Sequence, residues 1–276
     1  DWNGGLAHHL RLDDGLSAWV ADTRIALGSR KGTAAASLIV EAFGDAVLPQ
    51  IPEAIGRAIL RTEAALDAVL AEARSGRYPK GSTIFAQEEE AHSFFLLLAG
   101  HIRVVRTTPD GEQVIARYIA EGELFGIAPA IGRTTYPANA VAAVDCVALA
   151  WPTRLWNHFT TNYPTFTSNT YATVGKRLQE TQQRVVEMST EQVEQRVAHT
   201  ILRLIKQAGR KTPEGIEIDF PITRQDIAEM TGTTLHTVSR LLSAWENEGL
   251  VVGGRQKVTV SDPHGLMLIA EHRRRS

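Results

Sequence analysis

Two clusters of hydrogen-bonding side chains near the C-terminus have the types and spacing to grip a nucleic acid. Thr234-Leu235-His236-Thr237-Val238-Ser239-Arg240 places His236 and Arg240 four residues apart, with Ser239 beside them. At helical spacing these share one face. An arginine there can bond the O6 and N7 of a guanine through both arms of its fork, the commonest specific contact in the major groove. His236 can donate to a purine N7 or to a phosphate, and Thr234 and Ser239 can reach base or phosphate. Upstream, Arg224 and Gln225 suit backbone phosphates, as do Arg255 and Lys257 downstream. Nothing comparable serves bond-making. The nine histidines are scattered and residues 78–152 hold no His-x-His, so neither a metal set nor a catalytic residue is assigned.

The elements that must hold these groups are legible. Thr223 is a good N-cap, and Asp226 three residues on makes a capping box. Ile227 and Met230 point inward, Ala228 allows a close helix crossing, and Gly232 closes a short helix. Thr234 then caps a second helix running to Trp245, with Val238, Leu241, Leu242 and Trp245 as its buried stripe. Leu235, His236, Ser239 and Arg240 stay outside. Two helices joined by a tight Gly-containing turn form a helix-turn-helix, whose second helix enters the major groove. Residues 248–260 read as two strands around a Gly253-Gly254-Arg255-Gln256 tip, a small β wing. A helical hairpin without nucleic acid is the bland alternative. The wing and the polar start of the second helix narrow it.

Before this unit lies a helix from about Glu191 to Ala208, ended by Gly209, with Val193, Val197, Ile201, Leu204 and Ile205 inward, then a polar turn and a strand-like 216–220. A longer helix from Pro164 to about Met188 precedes it. Thr167, Tyr171, Val174, Leu178, Thr181, Val185 and Met188 alternate in steps of four and three, a heptad seam. The seam pairs two subunits or covers the segment before it. In that segment, Tyr78–Pro152, the runs 94–98, 102–105, 114–119 and 141–151 alternate with Gly-containing turns, a β sandwich, barrel or roll. A helix from Pro52 leads into it and ends at Ser75-Gly76. The expected fold is α+β: an N-terminal helical extension over 1–50, a β-roll sensor over 51–163, a dimerisation helix over 164–189 and a winged helix-turn-helix over 190–276.

Composition sets outer limits. No run of apolar residues is long enough to span a membrane, and the start lacks a basic-then-apolar leader pattern. One cysteine, Cys146, allows no internal disulfide, which fits a cytoplasmic protein, and cannot supply an iron–sulfur cluster's thiolates. The formal net charge of −2 argues mildly against nucleic acid, but basic residues gather along 176–211 and at Arg273-Arg274-Arg275.

A β-roll, a seam helix and a winged helix-turn-helix, with these residues, resemble the Crp/Fnr family of bacterial transcription regulators. Thr223–Ala228 and Thr237–Leu242 are similar to its DNA-binding signature. Tyr78–Phe85 resembles the first strand of its sensor roll, and Phe94–Gly100 and Gly122–Gly126 match later landmarks. The resemblance covers about 52–272 and leaves residues 1–50 unexplained. It implies a homodimer paired along the seam, a two-fold symmetric operator in double-stranded DNA with half-sites one helical turn apart, RNA polymerase as a partner, and an effector pocket in the roll at Phe125, Gly126, Ile127, Tyr136, Pro137 and Ala138.

Three departures bear on the effector. Nucleotide-binding members carry a glutamate where Ile127 stands and an Arg-Ser pair where Tyr136-Pro137 stand. A buried phosphate without that arginine loses its charge compensation, so cyclic AMP is not expected. The lone cysteine likewise excludes the oxygen-sensing cluster. Residues 126–138 and 232–240 look most like the subgroup that reads nitric oxide through haem, though His92, His101 and His158 offer no assignable axial ligand. His236 replaces a glutamate of many members, which puts the base read there in doubt. Control by abundance alone, without a ligand, stays open, as does a remote cupin-like metal enzyme.

Overall fold

The computed structural model describes residues 68–271. The extension expected over 1–50, most of the helix expected from Pro52, and the terminal arginines lie outside the described residues.

Residues 74–152 form two four-stranded antiparallel sheets. The first orders β1 (Arg74–Tyr78), β8 (Cys146–Pro152), β3 (Ser93–Ala99) and β6 (Leu124–Phe125). The second orders β2 (Thr83–Phe85), β7 (Asn139–Ala142), β4 (Ile102–Thr107) and β5 (Gln113–Ile119). Strand β3 is buried on both faces, which explains its unbroken apolar run. Phe94, Leu96 and Leu98 pack with Trp151 and the following helices, while Phe95 and Leu97 face the other sheet. The β4–β5 turn is the expected hairpin, with Gly111 in the left-handed region at φ 85°.

Two expectations fail here. Ser75-Gly76 does not end a helix; it lies inside β1, and the helical turn stops at Ala71. The run 141–151 is not one strand but β7 and β8, broken at residues 143–145, where Asp145 accepts a hydrogen bond from the Lys80 N–H at 2.8 Å.

Helices α1 (Trp156–Asn162) and α2 (Pro164–Thr190) follow. With its 27 residues α2 is about 40 Å long. Its start is anchored by Phe166, buried in the roll's aromatic core, and further along it grips the roll through polar groups: Arg177 donates to the Leu124 carbonyl and Arg184 to the Ala116 carbonyl. Burial pulls both guanidinium groups down to about 10, so both keep their charge at neutral pH. The seam points elsewhere. Tyr171, Leu178, Val185 and Met188 are exposed by 69, 57, 61 and 49 %, Thr181 is also exposed, and Val174 is half-buried against the roll core.

Helix α3 (Val193–Ala208) buries Val197, Ile201 and Leu204. Gly209 ends it in extended rather than left-handed backbone, at φ −91°. Glycine is needed there for closeness, because a Cβ would strike the Ile205 carbonyl and the Ile216 side chain. The segment read as a polar turn is a strand, β9 (Gly209–Thr212), paired with β10 (Gly215–Ile218). The chain then forms α4 (Arg224–Thr231), α5 (Leu235–Asn247), the hairpin β11 (Val251–Gly254) and β12 (Lys257–Val260), and α6 (Pro263–Ala270), which packs on α3. The wing is therefore half of a four-stranded sheet ordered β11-β12-β10-β9.

Candidate nucleic-acid interface

Local hydrogen bonds set the two helices that carry the reading groups. The Thr223 hydroxyl accepts from the Asp226 N–H at 3.0 Å, and Asp226 Oδ2 accepts from the Thr223 N–H at 2.7 Å. This capping box starts α4 with Arg224 and Gln225 in its first turn. Gly232, at φ 62°, closes α4, and Thr234 caps α5 by accepting from the Thr237 N–H at 3.2 Å. Val238, Leu242 and Trp245 anchor α5 at 2 % exposure or less. Trp245 also donates its indole N–H to Glu194 at 3.2 Å. The opposite face leaves Leu235, His236 and Arg240 exposed and Ser239 half-exposed, as an amphipathic helix requires.

The structure brings Thr223, Arg224 and Gln225 together with Leu235 and the wing residues Gly253, Gly254 and Lys257 along one cleft. His236, Ser239 and Arg240 lie along the outer face of α5, and Arg255 is exposed at the wing tip. Two carboxylates escaped the sequence reading. Glu246 pairs with Arg224 at 3.4 Å, and Glu217 accepts from Lys257 at 3.3 Å and from Arg210 at 2.7 Å. The bond from Arg210 holds the Glu217 carboxyl below its usual range. No local signal reveals these pairs, whose partners lie 22 and 40 residues apart.

The unit also touches its own roll. Arg103 on β4 donates to Asp226 Oδ1 at 2.7 Å, while Asp226 Oδ2 makes the cap. Phe220 packs between His101 and Tyr118, with ring centroids 4.6 and 4.4 Å away, and burial lowers the His101 pKa. Asp226→Ala removes a cap and the partner of Arg103 together. Urea unfolding should show a loss of about 2 kcal/mol. An unchanged midpoint would mean that the carboxylate is replaceable by water.

The six residues expected around an effector divide. Phe125 and Tyr136 are buried in one cluster with Phe85 and Phe95, and Ala138 is buried as well. Ile127 belongs to the opposite cluster, with Trp156 and Phe166. Tyr136 stacks on Phe85 at 3.8 Å, and Phe95 on Phe125 at 4.9 Å. Gly126 lies against this stack; a Cβ there would stand 2.8 Å from Phe95. Pro137 is half-buried. The Tyr136 hydroxyl donates to the Ser93 carbonyl at 2.6 Å.

Comparison with known proteins follows the same division of the chain. A family model for the cyclic nucleotide-binding domain matches residues 76–163, and one for the Crp-like helix-turn-helix domain matches 195–269. The cyclic AMP receptor protein of Thermus thermophilus is 30 % identical over 185 residues, covering 67 % of this chain and 82 % of its own. The chain belongs to the Crp/Fnr family. It is a DNA-binding transcription regulator with a cyclic-nucleotide-binding-like domain, and not an enzyme. The global nitrogen regulator of Synechococcus elongatus is 25 % identical over 217 residues, covering 75 % of this regulator and 98 % of its own chain. Two solved structures share the fold. FixK2 of Bradyrhizobium japonicum has a TM-score of 0.64 at 20 % identity, covering 71 % of this chain and 96 % of its own. A CooA variant of Carboxydothermus hydrogenoformans has a TM-score of 0.63 at 23 %, covering 74 % and 90 %. Among the described residues of this Crp/Fnr regulator no helix is long and apolar enough to cross a membrane.

Proposed function

We propose that this regulator acts as a homodimer that reads a two-fold symmetric operator and recruits or blocks RNA polymerase. The carrying observation is the seam of α2: Tyr171, Leu178 and Val185 are large, apolar and uncovered by their own roll. Two α2 helices paired there would present two α5 helices to half-sites about 34 Å apart. Arg240, Ser239 and His236 would meet bases. Thr223, Thr234, Arg224, Gln225 and Arg255 would meet the backbone.

For control, the residues favour regulation by abundance over a haem or nucleotide effector. The aromatic stack occupies the space between the sheets. The three histidines in or near the roll are otherwise placed: His92 is exposed beside Glu90, His101 packs on Phe220, and His158 is exposed beside Asn162. Cys146 is buried, and its thiol donates to the His101 and Val144 carbonyls. Arg133 on the roll surface is taken by Glu88 at 3.1 Å, not held for a phosphate.

Selection from a library of symmetric duplexes, with mass measurement of the complex, tests the reading head; selection of no symmetric site would refute it. Addition of haem, with and without nitric oxide, tests control. A haem absorption band together with changed operator affinity would overturn the ligand-free reading and restore the nitric-oxide subgroup.

A further inference from the structure

We propose that Leu235 is a specificity-determining residue that reads the C5-methyl group of a thymine. This rests on the placement of α5 in the major groove. Leu235 is the first residue of α5, directly after the Thr234 cap, and is 43 % exposed. The apolar anchors of α5 are Val238, Leu242 and Trp245, and Leu235 is absent from the core cluster they form. It lines the cleft with Thr223, Arg224 and Lys257, all suited to a phosphate-bearing partner.

A lone exposed leucine on an arbitrary surface means nothing. At the entry end of a groove-reading helix it carries information. Helical side chains lean toward the N-terminus, so Leu235 projects ahead of the helix into whatever α5 enters. The floor of the major groove is a row of donors and acceptors, and a leucine pressed on them leaves them without partners. The thymine methyl is the one apolar feature there. Leu235 therefore accepts a thymine and rejects cytosine, guanine and adenine through unsatisfied edges. It stands one helical row from His236 and shares its row with Ser239. It stands five positions before Arg240, about 7.5 Å of helix rise, so the two side chains meet different base pairs.

Replacing single thymines of the selected operator by uracil deletes the methyl and leaves pairing intact. Wild-type protein should lose about fourfold affinity at one thymine per half-site, the worth of one buried methyl, and about fifteenfold when both half-sites are changed. Leu235→Ala should bind the thymine operator more weakly by a similar factor and no longer distinguish uracil at that position. Leu235→Met should keep the distinction. Equal binding of every uracil duplex by wild type, or discrimination retained in Leu235→Ala, overturns the proposal while specific binding stands. Absence of any preferred duplex overturns the groove placement itself, and Leu235 with it.

Discussion

Arg240→Ala should bind its operator roughly 10³-fold more weakly than wild type while keeping most of its affinity for unrelated DNA. One bidentate arginine–guanine pair contributes about 2 kcal/mol, and a dimer makes two of them. The side chain is free to do this. It is exposed on α5, and among the described residues it enters no ion pair, so its loss should leave the fold intact. Arg224→Ala supplies the contrast. In the proposed docking it meets a phosphate rather than a base, so its loss should weaken all sequences alike and flatten the salt dependence by about one charge per subunit. Titrations of operator and scrambled duplex at several salt concentrations separate the two outcomes. An Arg240→Ala protein with unchanged preference for its operator would show that specificity is read elsewhere, by His236 and Ser239 or by DNA shape.

The reading head was legible because its determinants are local. Thr223 and Asp226 sit three residues apart, Thr234 follows Gly232 by two, and the stripe through Val238, Leu242 and Trp245 repeats at helical spacing. Each such signal closes within one turn of chain, so sequence alone carries it. The misreadings occur where a distant partner decides. Residues 141–151 look like one apolar run, yet Asp145 turns the chain toward Lys80, 65 positions away. Gly76 looks like a helix stop, yet it is a strand position covered by the Tyr78 ring, whose hydroxyl stands 2.6 Å from where a Cβ would be. The polar turn after Gly209 is a strand because β10 is there to pair with it. The candidate site shows the same limit. Bases and phosphates have residues of the right type in the sequence, but Glu246, Glu217 and Arg103 gain meaning only through contacts across the fold. The roll is the sharpest case. The sequence names Tyr136 where a nucleotide-binding relative has a polar group; only the structure shows that its ring lies on Phe85.

Leu178→Asp should convert the dimer to a monomer and reduce operator binding by more than a hundredfold. The seam offers Tyr171, Leu178 and Val185 on one side of α2, each more than half exposed, while Arg177 and Arg184 turn the other side toward the roll. That division favours the pairing alternative of the heptad, because a seam meant to cover its own roll would be buried in the single chain. Two aspartates facing each other across a paired seam lose hydration and repel, which no rearrangement of a straight helix relieves. A monomer then reads one half-site and forfeits the second set of contacts. Gln183→Asp, exposed on the side of α2 turned away from the seam, is the control and should change neither mass nor affinity. Met188 needs separate treatment, because its methyl stands 3.1 Å from where a Cβ on Gly232 would lie, in the turn of its own helix-turn-helix. Met188→Ala should therefore alter the join between α2 and the reading head as well as the seam, and only Leu178→Asp isolates pairing. Sedimentation equilibrium gives the mass, and the same protein in a gel shift gives the affinity. A Leu178→Asp protein that remains dimeric would place the interface off the seam and leave the exposed face of α2 to another partner.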